Sequence, residues 1–374
     1  MEFRDLKRQY IFLKEKIDAA VASVISSGAF IMGPQVSELE SRLADYAGVS
    51  HCVSCANGTD ALRLALEIWN IGPGDAVFVP DFTFFASAEV VAAVGATPVF
   101  VDVDARTFNM SADDLQSKID KVLLDGTLAP KAIIAVDLFG LPADFLSIRT
   151  VADKYNLLIL EDAAQGFGGA ASGKRACSFG DIATTSFFPA KPLGCYGDGG
   201  ALFTDNPQWA ELARSLRVHG KGQDKYDNVR IGCNSRLDTL QAAVLLVKLD
   251  AFVQFELSAV SEIADLYTSE LHNLVLCPVV PAGFSSSWAQ YTVQLENPDQ
   301  RAAIQQGLRD KGIPSMVYYP KPMHSQGAFR SLGTAFGHCP VSSRLALSVL
   351  SLPMHPYLDH DDVHRVADTL KTLL

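Results

Sequence analysis

Leu157-Leu-Ile-Leu-Glu161-Asp162-Ala-Ala-Gln165-Gly166 is a short apolar run that stops at two carboxylates. Four aliphatic residues in a row read as a strand buried on both faces, as in a parallel sheet. Ligands of such sheets bind outside the carboxyl ends of the strands, so Asp162 or Glu161 would face a ligand there. Upstream the pattern repeats. Strand-like runs at 77–80, 98–103 and 132–136 alternate with helical spacing at 89–94, 112–121 and through 151–155. That alternation predicts an α/β fold: a mostly parallel sheet with helices on both faces. Two helices, 6–26 and 36–46, precede it, and each runs into a glycine. A long, mostly apolar helix at 239–255 leads to a remainder with strands expected at 288–295 and 313–319. A chain of 374 residues exceeds what one core usually fills. The expected division is a large domain over residues 1–250, including the N-terminal helix, and a smaller α+β domain over 251–374.

Outward from Asp162, the next informative stretch is Ser186-Phe-Phe-Pro-Ala-Lys191-Pro-Leu-Gly-Cys-Tyr-Gly-Asp-Gly-Gly200. It follows an apolar β-like run at 184–188. Pro189 and Pro192 fix φ and remove donors on either side of Lys191. The glycines at 194, 197, 199 and 200 permit unusual backbone angles and close approach to a ligand. A lysine presented so rigidly is suited to condense with an aldehyde as a Schiff base. Pyridoxal phosphate is such an aldehyde, and it needs an acid at its pyridine nitrogen, which Asp162 could supply. Ser54-Cys-Ala-Asn57-Gly58-Thr59-Asp60 leads into the Ala/Leu-rich run Ala61-Leu-Arg-Leu-Ala-Leu. It reads as a capped helix N-terminus, whose free N–H groups suit a phosphate. Each element has a plain structural reading as a turn, a cap or an ion pair. Together they supply three different parts of one cofactor.

The ordered set Asn57-Gly58-Thr59-Asp60-Ala61, Asp81-Phe-Thr-Phe84, Glu161-Asp162-Ala-Ala-Gln165, Ser186-Phe-Phe-Pro-Ala-Lys191 and Asn234-Ser-Arg236-Leu-Asp resembles the DegT-type sugar-nucleotide aminotransferases, a branch of the fold-type I pyridoxal-phosphate enzymes. The resemblance runs from Phe3-Arg-Asp-Leu-Lys to Ser351-Leu-Pro-Met-His-Pro-Tyr. It implies that Lys191 carries the cofactor and moves the proton, and that Asp162 pairs with the ring nitrogen. Phe84 would stack on the ring and Gln165 would lie near its hydroxyl. Gly58, Thr59 and Ser186 would hold the phosphate. Asn234 would reach that phosphate from a neighbouring subunit, making the active unit a homodimer with shared sites. The likeness is nearest to the branch that aminates the 3-keto form of UDP-N-acetylglucosaminuronic acid for surface polysaccharide, the O-antigen, with L-glutamate as donor. An upstream NAD-dependent sugar-nucleotide dehydrogenase would supply the ketone. In Val317-Tyr318-Tyr319-Pro320 that branch tends to have histidine where this chain has Tyr318. Tyr318 and Tyr319 are therefore substrate-binding candidates. Arg236 is a candidate for a substrate carboxylate, with an ion pair to Asp238 as its structural alternative.

The bulk numbers set limits. Net charge is −11, against general nucleic-acid binding, which wants a basic footprint. Local positive charge for a nucleotide diphosphate could come from the segment Arg214 to Arg230, with Arg217, His219, Lys221 and Lys225 between. Apolar runs such as 90–101 are too short to span a bilayer. The N-terminal residues lack the apolar core of a signal peptide, so a cytoplasmic protein is expected. Seven cysteines without scaffold spacing suit a reducing compartment. His51-Cys52-Val-Ser-Cys55 has no second ligand pair at zinc spacing, and no metal is expected. Two rival readings remain beside an aminotransferase for this or another keto-deoxy sugar nucleotide. One is an oxidoreductase with a doubly wound nucleotide domain, though no glycine fingerprint follows a strand. The other is a non-catalytic, regulatory protein that binds pyridoxal phosphate.

Overall fold

Seven strands form the central sheet: β1 His51–Cys55, β2 Asp75–Pro80, β3 Thr97–Val101, β4 Ala129–Val136, β5 Leu158–Asp162, β6 Ile182–Ser186 and β7 Gly200–Thr204. The computed structural model describes residues 1–224, 226–332 and 335–374. In space the order is β1-β7-β6-β5-β4-β2-β3. From β3 to β6 all neighbours are parallel. β7 runs antiparallel to both β6 and β1. The expected mostly parallel α/β sheet is thus present, with one reversed strand that local patterning did not reveal.

Alternation along each strand feeds two cores. Val77 and Val79 face the cluster of Leu62, Leu66 and Val90, whereas Ala76 and Phe78 face Leu115, Ile119 and Ile148 on the other side. A third cluster joins Leu39 and Leu43 of the helix Pro34–Ala47 to Phe203 of β7 and to Leu245 and Leu249. The helix Thr239–Ala251 runs on through a π-turn at Phe252–Glu256 into Leu257–Leu271, well beyond the expected end at 255.

That rod leads into a separate hydrophobic cluster. Ile263, Tyr267 and Leu271 pack there with Tyr291, Val293, Leu350, Leu352, Val366 and Leu370. Its two strands are Tyr291–Gln294 and Val349–Leu352, paired antiparallel. The strand expected at 313–319 is not one. Its backbone pairs with the sheet at the isolated bridge between Met316 and Ser351, while Ile313 packs into the same cluster. Pro314 and Pro320 lack ladder donors, and between them Tyr318 and Tyr319 turn away to wall the cavity described below. Leu350 is fully buried in this cluster. Leu350→Ala is expected to lower stability by about 2–5 kcal/mol in denaturant melts.

Candidate active site

β5 ends in two buried carboxylates whose directions differ because side chains alternate along a strand. Glu161 points away from the ligand side. It accepts backbone N–H groups from Cys177 at 2.5 Å, Phe179 at 2.7 Å and Gly180 at 3.2 Å. Burial, opposed by those bonds, pushes its pKa up to about 7. Asp162 faces a cavity of about 450 Å³, within the range of small-molecule sites. Ser87 Oγ donates to Asp162 Oδ2 at 2.7 Å, and the Ala164 N–H donates to Oδ1 at 3.2 Å. Burial raises the Asp162 pKa, while Ser87, Ala164 and the charge of Lys191 hold it down.

Lys191 lines the same cavity. Its own N–H donates to Phe188 O at 2.8 Å, closing a tight turn behind the side chain. Part of the residue is open to the cavity, yet desolvation lowers its pKa; Asp162 opposes that shift and Arg4 adds to it. The glycines beyond it act by close approach, because none of positions 194, 197, 199 and 200 has positive φ. A Cβ on Gly200 would lie 2.5 Å from the carbonyl of Asn57, and one on Gly58 would lie 2.7 Å from Ser186 Cβ.

Those contacts press β7 and the end of β6 against the start of the helix Gly58–Ile68. Asn57 Oδ1 caps that helix by accepting from the Asp60 N–H at 2.8 Å. The N–H groups of Gly58 and Thr59 have no partner among the described residues. Gly58, Thr59 and Ser186 all line the cavity. A helix N-terminus with free donors fits a phosphate. With Asp162 and Lys191 on the same cavity, the residues present fit pyridoxal phosphate.

The remaining candidates divide. Phe84, Gln165, Tyr318 and Tyr319 also line the cavity. Phe84 is 53% exposed, with its ring 6.1 Å from that of Tyr319. Gln165 accepts from the Phe139 N–H at 2.8 Å and donates to Tyr319 OH at 3.0 Å. Asn234 and Arg236 do not line it. Asn234 is exposed and bridges to Val218 through its backbone. Arg236 forms no ion pair with Asp238 or any other acid among the described residues. Between them, Ser235 Oγ donates to Asp60 Oδ2 at 2.6 Å, which fastens this segment to the helix start.

The basic segment does not serve the cavity as a block. Arg217 is buried, donating to Glu40 at 2.5 Å and to Ser54 O at 2.6 Å, so its charge is already matched. Arg230 donates to Ser215 Oγ. Lys225 lies outside the described residues. His51-Cys52-Val-Ser-Cys55 is strand β1, with both thiols buried.

Sequence reasoning passed over Ser87, which reaches Asp162 from an ordinary helix, and Asp198 and Gln290, which line the cavity from two loops. It also missed His324. The fully buried Asp81 accepts from the His324 N–H at 2.8 Å and meets His324 Nδ1 at 2.7 Å. This pair ties the chain entering Phe84 to the chain leaving Tyr318-Tyr319. No spacing rule links residues so far apart.

A phosphate cradle, an acid for a ring nitrogen and a condensable amine are together what pyridoxal phosphate requires of a protein, and the scaffold is that of the fold-type I enzymes that use it. The chain belongs to the DegT/DnrJ/EryC1/StrS aminotransferase family, matched over residues 12–371. It is 45% identical over 362 residues to UDP-2-acetamido-2-deoxy-3-oxo-D-glucuronate aminotransferase of Pseudomonas aeruginosa, covering 96% of each chain. It is 41% identical to UDP-N-acetyl-3-dehydro-alpha-D-glucosamine 3-aminotransferase of Acidithiobacillus ferrooxidans, covering 99% of this chain and 97% of that one. A crystal structure of an aminotransferase of the same family from Brucella abortus superposes with a TM-score of 0.97 at 49% identity, over 100% of this chain and 99% of the other. Family members are aminotransferases that use pyridoxal phosphate, and solved relatives carry it or pyridoxamine phosphate. This protein is accordingly a pyridoxal-phosphate-dependent transaminase.

Two outcomes follow from the geometry. Ser87→Ala removes a donor that holds the Asp162 pKa down, so the acidic limb of the pH–rate profile should move to higher pH. The hydrogen bond to Asp81 raises the His324 pKa against a smaller desolvation. Its stabilisation is therefore full below about pH 6.5 and is lost as pH rises through the higher folded-state value. His324→Gln should lower stability by about 1–3 kcal/mol at pH 6 and by less at pH 9, measured by urea melts.

Proposed function

We propose that the protein transfers an amino group from L-glutamate to a keto sugar nucleotide. The 3-keto form of UDP-N-acetylglucosaminuronic acid would give UDP-2-acetamido-3-amino-2,3-dideoxy-glucuronate. The observation that carries the chemistry is the convergence of Lys191, Asp162 and the free N–H groups of Gly58 and Thr59 on one cavity. The substrate rests on the 45% identical relative, whose coverage is nearly complete in both directions. A second reading has its own support: the 41% identical relative is named for a 3-dehydro sugar without the carboxylate, and Tyr318 departs from the histidine of the uronate branch.

In this reading Gly58, Thr59 and Ser186 hold the cofactor phosphate, Asp162 faces the ring nitrogen, Phe84 lies against the ring and Gln165 near its hydroxyl. Bound pyridoxal phosphate supplies the electron sink that lets a substrate Cα–H bond break. Lys191 Nζ takes that Cα proton as a free base and returns it, a task suited to an amine whose pKa burial has lowered. Lys191 is the one cation among the described residues lining the cavity. A substrate carboxylate would then find its partner in Arg236 of a second subunit, and the cofactor phosphate would meet Asn234 from the same place. The working unit is proposed as a homodimer, with residues 1–250 holding the cofactor and 251–374 closing the site with Tyr318 and Tyr319. Among the described residues no helix is long and apolar enough to cross a membrane. We place the enzyme in the cytoplasm, supplied by an NAD-dependent dehydrogenase that oxidises the sugar nucleotide, in O-antigen synthesis.

The test is spectroscopic. Protein mixed with pyridoxal phosphate should turn yellow and bleach on adding L-glutamate, and Lys191→Ala should do neither. Restoration of the yellow by the keto-uronate supports the first reading, and restoration by the keto-glucosamine alone supports the second. A yellow band indifferent to every amino donor would overturn the assigned reaction. Sharing of sites has its own measurement. Mixing the inactive Lys191→Ala and Asn234→Ala proteins should restore activity, because one site of the mixed dimer then has both native residues. No recovery after subunit exchange would reject the shared site.

A further inference from the structure

Behind Lys191 lies a cation that the proposed reaction does not use. Arg4 Nη2 donates to Lys191 O at 2.7 Å and to Pro192 O at 3.3 Å. No carboxylate lies within ion-pair distance of Arg4 among the described residues. Glu256 is the acid whose charge it feels, and Glu256 Oε1 already accepts from Gln9 at 2.8 Å and from Tyr357 OH at 2.7 Å. The neighbouring segment is fixed as well. The Met354 N–H donates to Phe3 O at 3.1 Å, and the Phe3 ring meets Tyr318 edge-on at 6.1 Å.

We propose that Arg4 is a positioning residue for Lys191, clamping the backbone of the turn that carries the amine while Phe3 braces Tyr318 on the cavity wall. One nitrogen of the rigid guanidinium spans both carbonyls, and that planar group is better pre-organised and more weakly hydrated than a lysine ammonium on a flexible stem. Solvating a half-buried charge with backbone carbonyls alone is costly, and desolvation lowers the Arg4 pKa to about 10. Its unneutralised charge has a direction of action. A like charge disfavours protonation of a neighbouring amine. Two charged groups act on Lys191: Asp162 favours its protonated form, and Arg4 opposes it. Arg4 also acts on Lys248, lowered to about 8, and on His355, lowered to about 4, in both cases after desolvation. The residue thus does two things for one side chain: it fixes the main chain and favours the free base.

This inference rests on the assignment of Lys191 as the reacting amine, and the experiment separates the two. The pH dependence of Lys191 labelling by an amine-selective reagent is followed by peptide mass spectrometry in the protein without added cofactor, for native protein, Arg4→Met and Arg4→Lys. Yellow colour with pyridoxal phosphate, and its loss in Lys191→Ala, is recorded beside it and tests only the assignment. Arg4→Met, checked for native secondary structure and melting temperature, should move the labelling midpoint to higher pH and lower kcat about tenfold or more with KM for L-glutamate little changed. Arg4→Lys should keep the midpoint near native and recover part of kcat. A folded Arg4→Met with native midpoint and kcat overturns the proposal. If Arg4→Met does not fold, Arg4→Lys decides: a native kcat rejects the need for the two-carbonyl clamp, and a several-fold lower kcat at native midpoint supports it.

Discussion

Two adjacent carboxylates at the end of β5 set the terms for the rest of the molecule. A strand sends successive side chains to opposite faces, so Glu161 and Asp162 cannot serve the same purpose. Glu161 gathers the backbone N–H groups of Cys177, Phe179 and Gly180, which fixes the loop leading into β6. Asp162 is left to the cavity with Ser87 and Ala164 as partners. A slip of one residue along β5 would exchange these duties. The register is set by pairing with β4 and β6 on either side.

Closeness does the remaining work at the cavity floor. Gly58, Ser186 and Gly200 lie so near one another that side chains at the glycines would strike backbone or Cβ atoms. The free N–H groups of the helix Gly58–Ile68 are thereby brought beside the end of β6 rather than left in solvent. Across the cavity the wall is aromatic: Phe84, Tyr319 and Tyr318, with Phe3 behind them. Polar anchors hold that wall in place, Asp81 with His324 on one side and Gln165 with Tyr319 OH on the other.

The parts of the fold governed by local rules were readable from sequence. Aliphatic runs gave the parallel strands, Asn57 announced a helix start, and prolines and glycines marked Lys191 as unusual. Pairings between distant segments were not readable. β7 carries a run, Gly-Ala-Leu-Phe-Thr, with nothing to say that it would enter the sheet reversed between β1 and β6. The run at 313–319 has the composition of a strand, yet Tyr319 is held by Phe82, Phe84 and Gln165, and Tyr318 meets Phe3, contacts that sequence spacing does not encode. Ser87 looked like any small residue of a helix, and Arg217 like a cation for a nucleotide diphosphate, until Asp162 and Glu40 were placed beside them. Asn234 and Arg236 stand off the cavity of a single chain, which their motif alone did not reveal.

The reversed strand also sets an order of events during synthesis. Among the described residues β1 finds its only sheet neighbour in β7, with Cys55 opposite Gly200. Strands β2 to β6 can assemble by parallel crossovers as they leave the ribosome. β1 gains a partner only once residues 200–204 have emerged, whereas the helix that follows it can already pack on β2, β6 and Val90. Contacts so distant along the chain are slow to form, and until then β1 has unpaired edges, a state prone to association. The pairing of β1 is therefore among the last features of the large sheet to be completed, and a chain cut short before β7 would lack it.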